Sequence, residues 1–180
     1  MKVPLSWLKQ YIDIDVPVQE LAHRLTMAGV EVGEVEVIGG WKEVFIGYVK
    51  DVRPHPNADR LRLCAVTIGS DEMEVVCGAP NVAAGQRVPL VQPGTLLGDL
   101  EVGEREVRGH LSQGMIASER ELDLGEEHDG ILVLDESLEV GQPIATALES
   151  EDVLFEIDNK SLTHRPDLWG HRGIAREIAA

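Results

Sequence analysis

Three arginines and a histidine fall within ten residues (Arg53, His55, Arg60 and Arg62) around the Pro-Asn-Ala-Asp turn of "VRPHPNADRLRLCAVTIG", with Lys50 just upstream. Guanidinium groups make bidentate contacts to phosphate and stack on bases, so this cluster is suited to nucleic acid. Pro54, Pro56 and Asn57 fix the turn, and Arg60 and Arg62 are expected together on the exposed side of the strand that follows. A second cluster, Arg105, Arg108 and His110, precedes "SQGMIAS". The competing reading is that these are solvated strand-edge charges that discourage aggregation.

Catalytic chemistry has less to build on. The chain holds no GxxxxGK[ST] loop, no HExxH, no CxxC and no GxSxG. His164 and His171 stand seven apart across a proline and a glycine, which is not a metal-ligand spacing. "ELDLGEEHDG" lacks the alternating oxygen ligands of a calcium loop and reads as solvated surface. Cys64 and Cys77 lack zinc spacing and read as small buried apolar residues. No catalytic residue, metal ligand or cofactor is expected in these residues.

Charge shapes the choice of partner. The chain has 180 residues, 32 acidic and 16 basic, for a net charge of −16. Between Leu111 and Ile157 stand thirteen acidic residues and one basic residue, so most of the excess sits in about a quarter of the chain. This excludes a protein that coats nucleic acid indiscriminately but leaves room for a basic patch on one face. No apolar run reaches the roughly 18 residues of a membrane helix, and the N-terminus has no signal-peptide pattern. A cytoplasmic protein is expected.

The elements that must position these residues follow from the apolar pattern. "PLSWLKQYI" places Leu5, Leu8 and Ile12 on one helical face. A second helix starts at Pro17, buries Val18, Leu21, Ala22 and Leu25, and stops at Gly29. "VEVGEVEVI" alternates as a strand, and Gly39-Gly40 breaks the run. Short strands follow at Val44–Val52, Leu61–Ile68, Met73–Cys77, Arg87–Gln92, Gly114–Ala117 and Ile131–Leu134, separated by Gly/Pro turns. That succession predicts a small barrel or sandwich, and "ASERELDLG" a short helix or loop within it. Helix character returns after Asp152, with Ile174, Ala175 and Ile178 on one face. The chain ends within that helix, as expected of a piece of a longer protein.

"HPNADRLRLCAVTIG", "VVCGAPNVAAGQRVPLV" and "VRGHLSQGMIASERELDLG" occur in the order of the tRNA-binding OB domain, which this stretch resembles. The flanks resemble the opening of the bacterial phenylalanine–tRNA ligase beta chain family. "SLTHRPDLWGHRGIAREIAA" matches that family's T-x-N-R-P-D-x-x-S-x-x-G-I-A-R-E pattern at Arg165, Pro166, Asp167 and Gly173 to Glu177. It departs from the pattern at His164, where Asn is usual, and at Trp169-Gly170.

The resemblance implies an α+β fold, mainly β, with a five-stranded OB barrel at 40–151. The barrel would be inserted into a small discontinuous helical domain, 1–39 with 152–180. It implies RNA contact at Arg53, His55, Asn57, Arg60, Arg62, Arg108, Ser112 and Met115. It also implies tRNA and an alpha chain as partners in an (αβ)₂ assembly, with ATP and magnesium serving the whole enzyme at sites outside these residues. The segment itself is then expected to be inert as a ligase. Two rival readings are a free-standing tRNA-binding OB protein, which would not need the flanking helices, and an architectural module whose basic turn contacts another protein chain.

Overall fold

In the computed structural model, which describes all 180 residues, the chain forms two units: Met1–Gly40 with Glu151–Ala180, and Trp41–Ser150. The first forty residues hold β1 (Lys2–Pro4), α1 (Leu5–Leu8), α2 (Val18–Met27) and β2 (Val32–Ile38). Prolines at positions 4 and 17 stand immediately before the two helices, where a fixed φ and a missing N–H do no harm. The apolar spacing of α2 buries Leu21, Ala22 and Leu25, as its periodicity predicts.

The second unit begins with β3 (Val44–Pro54), followed by β4 (Arg62–Thr67), β5 (Glu72–Cys77) and β6 (Arg87–Val91). Two hairpins come next, β7 (Thr95–Leu97) with β8 (Leu100–Val102) and β9 (Arg105–Val107) with β10 (His110–Ser112), and then β11 (Met115–Ile116) and α3 (Ile144–Ala147). Five of these strands make one antiparallel sheet in the order β11-β6-β3-β4-β5. β3 pairs with β6 through its first half and with β4 through its second, and its register shifts between Val49 and Asp51. Such a bulge bends a strand and raises its twist, so one long strand serves both walls of a barrel. The open edge closes through the chain just before β11. Gln113 N–H donates to the Glu74 carbonyl at 2.9 Å, and Val76 N–H donates to Ser112 Oγ at 3.0 Å. The fold is α+β, mainly β, with a nearly closed five-stranded OB-like barrel.

Val49, Cys64, Val66, Val88, Leu90 and Ile116 fill the barrel. A second apolar cluster sets Val44, Ile46, Leu97, Leu122 and Ile144 together at one end. Gly47 lies at a close approach of two walls, where an added Cβ would meet Val66 Cγ1 at 2.7 Å and Leu90 Cβ at 3.0 Å. The segment Ile131–Leu134, expected as a strand, is extended but has only one bridge, Leu134 to Arg87. Its hydrogen bonds go alternately to different walls, from Leu132 N–H to Ala117 O and from Leu134 N–H to Arg87 O. The Asn81 side chain holds its start, accepting from Ile131 N–H at 2.9 Å and donating to Ile131 O at 2.8 Å. "ASERELDLG" forms turns rather than a helix and sinks Leu122 into the core.

The chain then returns to the first unit with β12 (Asp152–Ile157), a 3₁₀ turn at Pro166–Leu168 and α4 (His171–Ile178). β12 enters between β1 and β2 to make a three-stranded antiparallel sheet. Neither β1 nor β12 is among the strands expected from the sequence, so this unit carries a sheet as well as helices. Leu8, Leu21, Leu25, Phe155, Ile157 and Ile174 share its core. The Met1 amine donates to the Ile157 carbonyl at 2.7 Å and pins the N-terminus to that sheet. No helix is long and apolar enough to cross a membrane.

Candidate nucleic-acid interface

The connection from β3 to β4 carries His55 to Leu61, and its shape is set by His55. That imidazole is buried. Its Nδ1 accepts the Asn57 N–H at 3.1 Å, and its Nε2 lies 3.2 Å from the Val107 carbonyl. An acceptor Nδ1 fixes the proton on Nε2, which therefore donates to Val107 O. His55 thus ties the β3–β4 turn to β9 and offers nothing to solvent.

The other side of this link is the β9–β10 hairpin. Its two-residue loop is Arg108-Gly109, with φ of +52° and +89°. Two positive φ values make a type I′ turn, whose twist suits paired strands but which favours Gly or Asn at both positions. Arg108 therefore occupies a conformation that its Cβ disfavours. The Asn57 side chain donates to the Arg108 carbonyl at 3.0 Å, and the His55 and His110 rings meet edge-on with centroids 4.8 Å apart. The two turns that carry the basic clusters, some fifty residues apart in sequence, are thus linked to one another.

Ion pairing then sorts the cations. Arg53 lies 3.2 Å from Asp51 and 3.4 Å from Glu74, and Lys50 lies 2.6 Å from Glu72. Glu74 also sits 3.6 Å from His110 Nδ1. Arg60, Arg62, Arg105 and Arg108 are exposed, and none has a carboxylate within 4.0 Å. Arg62 shares the side of β4 that carries Cys64 and Val66 into the core, and it pairs across the sheet with Cys77. It is exposed because it stands at the open end of the barrel rather than on its outer wall, which differs from the expected placement. Arg60 lies in the turn itself, next to the start of β4.

Ser112 is buried. Its hydroxyl accepts from Val76 N–H and donates to Gly114 O at 2.9 Å, so both its hydrogen-bonding roles are used inside the barrel. Met115 is half-buried and lines a cavity of about 140 Å³ with Arg105, Val107 and Ser112. Arg60, Arg62 and Arg108 are thus exposed without carboxylate partners, while His55, Asn57 and Ser112 are engaged in hydrogen bonds within the framework. Neither Glu74 as the neutralising partner nor the β9–β10 hairpin is among the expectations drawn from the residues alone. The Arg-Gly pair flanked by "REV" and "HLS" is the signal that marks that hairpin. No group of three or more His, Cys, Asp or Glu is placed to hold a metal ion.

Beneath Arg62, Cys64 and Cys77 meet on adjacent strands, both buried and unbridged. The Cys64 thiol donates to Cys77 and draws the Cys77 thiol down to about 7, while Cys64 itself is pushed up by giving that hydrogen bond and by burial.

Residues 44–143 match the family described as "Putative tRNA binding domain", a span that begins with β3 and ends just before α3. Over its whole length the chain is 42% identical to a phenylalanine–tRNA ligase beta subunit of Syntrophus aciditrophicus and covers 22% of that protein. It is 45% identical to the corresponding subunit of Geobacter sulfurreducens, again covering 22%, and 44% identical to that of Salinibacter ruber, covering 24%. The chain therefore spans less than a quarter of the length of these relatives.

Proposed function

This chain belongs to the tRNA-binding domain family, and from that premise we propose that it docks tRNA on the face made by the β3–β4 turn and the β9–β10 hairpin. Arg60, Arg62 and Arg108 contact phosphates, with Arg105 beside them. His55, Asn57 and Ser112 hold these arginines in place, Arg53 adds little because its charge is already paired, and Met115 gives an apolar contact near Arg105. The observation that carries this reading is the Asn57–Arg108 hydrogen bond, which links the two turns that carry the basic clusters. The loops involved are those between the first and second, and the fourth and fifth, strands of the barrel. OB folds use these positions for oligonucleotides.

In the longer protein the chain serves as an RNA-docking and scaffolding module of a phenylalanine–tRNA ligase beta subunit. That reading is supported by 42–45% identity along all 180 residues. The whole enzyme, assembled with its alpha chain as (αβ)₂ in the cytoplasm, would join phenylalanine to its tRNA with ATP and magnesium at sites outside these residues. A protein-contact role for the same face is favoured by Glu74, which neutralises Arg53 and faces His110. Titrating labelled tRNA into the chain across a salt series separates the two. Arg60→Glu with Arg62→Glu abolishes binding on the docking reading and leaves it unchanged on the protein-contact one.

A further inference from the structure

The unit built from the two ends of the chain has a groove of about 890 Å³ that the barrel face does not use. One wall is Tyr11 and Ile12, and the other runs from Asp167 through Trp169 and His171 to Arg176. The chain is poor in aromatic residues, with three Trp, two Tyr and two Phe in all. Tyr11 at 56% and Trp169 at 57% are exposed in this groove, and Trp7, exposed at 53%, packs on its lining residue His171. Large rings left in solvent at one concave place mark a binding surface more often than chance exposure does. Their orientations are held from behind. Trp169 Nε1–H donates to the Leu162 carbonyl at 3.1 Å, and Trp7 packs on the His171 ring at 4.6 Å between centroids.

The charge of the groove runs against that of the chain. From Asn159 to Ala180 there are four basic residues and two acidic ones, in a protein of net charge −16. Both acidic groups are already engaged. Asp167 is paired with Arg165 at 2.9 Å and Arg176 at 2.6 Å, and Glu177 with Arg165 at 2.8 Å. Arg172 is exposed on the groove and has no carboxylate within 4.0 Å. Beneath the rings, His171 Nε2 is buried with no hydrogen-bond partner.

We propose that this groove is a stacking site for single-stranded nucleic acid, with bases lying on Trp169 and Tyr11 and the backbone phosphate against Arg172. Exposed rings interleaved with unpaired arginine are what a sequence-tolerant single-strand site requires. An apolar peptide groove would not need the cations, and an acidic peptide would not need the flat rings. Trp169 is also one of the places where the chain departs from the sequence pattern it otherwise matches, so the site is a feature of this chain. It shares no residue with the barrel face and does not depend on tRNA docking there.

The test is quenching of intrinsic tryptophan fluorescence in the 180-residue chain by a six-nucleotide oligoadenylate. The oligonucleotide is expected to quench. Tyr11→Ala and Trp169→Leu should each weaken binding about tenfold, in line with the loss of one stacked base. Arg172→Glu, at an exposed and unpaired position, should weaken it and make its salt slope shallower by about 1. Arg60→Glu with Arg62→Glu should leave this binding intact even if it abolishes tRNA docking. Circular dichroism identifies any variant that fails to fold, and Arg172→Glu then decides the matter alone. The proposal is overturned if the oligonucleotide does not quench, if Arg172→Glu binds as the parent does, or if a hexaglutamate peptide competes as well as the RNA.

Discussion

The side-chain amide of Asn57 donates to the backbone carbonyl of Arg108 at 3.0 Å, joining two turns that lie fifty-one residues apart. The bond holds a residue that resists its own conformation, since Arg108 sits at φ +52°. Arg108→Gly should therefore stabilise the chain by up to about 1 kcal/mol, because glycine accepts the left-handed region freely. The same change removes a free cation and should weaken tRNA binding. Asn57→Ala should do otherwise, lowering stability by about 1 kcal/mol and weakening binding although no charge is lost. Urea unfolding beside tRNA titration measures both, and an Arg108→Gly variant that is less stable than the parent would contradict the strain argument.

Salt dependence counts the phosphate contacts. Four arginines are expected from the sequence, but Arg53 is paired with Asp51 and Glu74, which leaves Arg60, Arg62 and Arg108. Three contacts give a slope of log K on log salt between about −2 and −3, so a fourfold rise in salt should weaken tRNA binding about 20- to 40-fold. Arg53→Gln should change the slope by much less than 1, whereas Arg62→Gln should change it by about 1. Equal effects of the two would mean that the ion pairs around Arg53 open when RNA arrives.

Ser112 closes the barrel rather than facing solvent. Ser112→Ala removes the acceptor of Val76 N–H and the donor to Gly114 O, leaving two main-chain groups unsatisfied in a buried place. The expected cost is about 1–3 kcal/mol, read from the denaturant midpoint. Amide exchange at Val76 should quicken in the variant. Unchanged protection there would show that the barrel closes without this hydroxyl.

How much of this was legible before the fold was known follows from the length of each signal. β4 was legible as a strand, but Leu63 to Val66 form an unbroken apolar run, so its inward side with Cys64 and Val66 could not be told from its outward one, and Arg62 was expected on the exposed side. The strands of the β7–β8 and β9–β10 hairpins have three residues each, too few for a period to appear, and only their Gly-containing turns betray them. β12 is central in its sheet, and its contiguous Val153-Leu154-Phe155 shows no alternation. The basic clusters were visible as residue types, but their partners were not. Glu74 reaches Arg53 from a strand two places along the sheet, and no local pattern announces a contact that pairing register creates. The groove around Trp169 was hidden for the same reason, since Tyr11 comes from the other end of the chain.

Cys77 gives a pH-dependent readout of the barrel's open end. Its thiol is drawn down to about 7 mainly by the hydrogen bond from Cys64, against the opposing effect of burial. Reaction with a small methanethiolating reagent should therefore rise through a midpoint near pH 7 and label Cys77 before Cys64. Cys64→Ala removes the donor and should shift that midpoint upward toward the ordinary thiol value. A midpoint that stays in place in the variant would mean that Cys64 is not the cause.

The last prediction concerns acid stability of the first unit. Asp167 is held down to about 2 by the Arg165 guanidinium, which grips both carboxylate oxygens at 3.0 and 2.9 Å, with Arg176 adding a further contact. In the unfolded chain the same carboxyl titrates near its ordinary value of 3.8. A depressed folded value means that the ionised form favours folding. Its contribution is complete above about pH 4 and is lost as the pH falls through 2. Between those limits the parent chain should lose stability more steeply than Asp167→Asn, which cannot titrate there, and the two curves should run parallel above pH 5. Because the side chain is well exposed, added salt should shrink the difference. Urea midpoints at pH 2, 3, 4 and 6 make the comparison, and curves that stay parallel down to pH 2 would remove Asp167 from any role in tying the Pro166–Leu168 turn to α4.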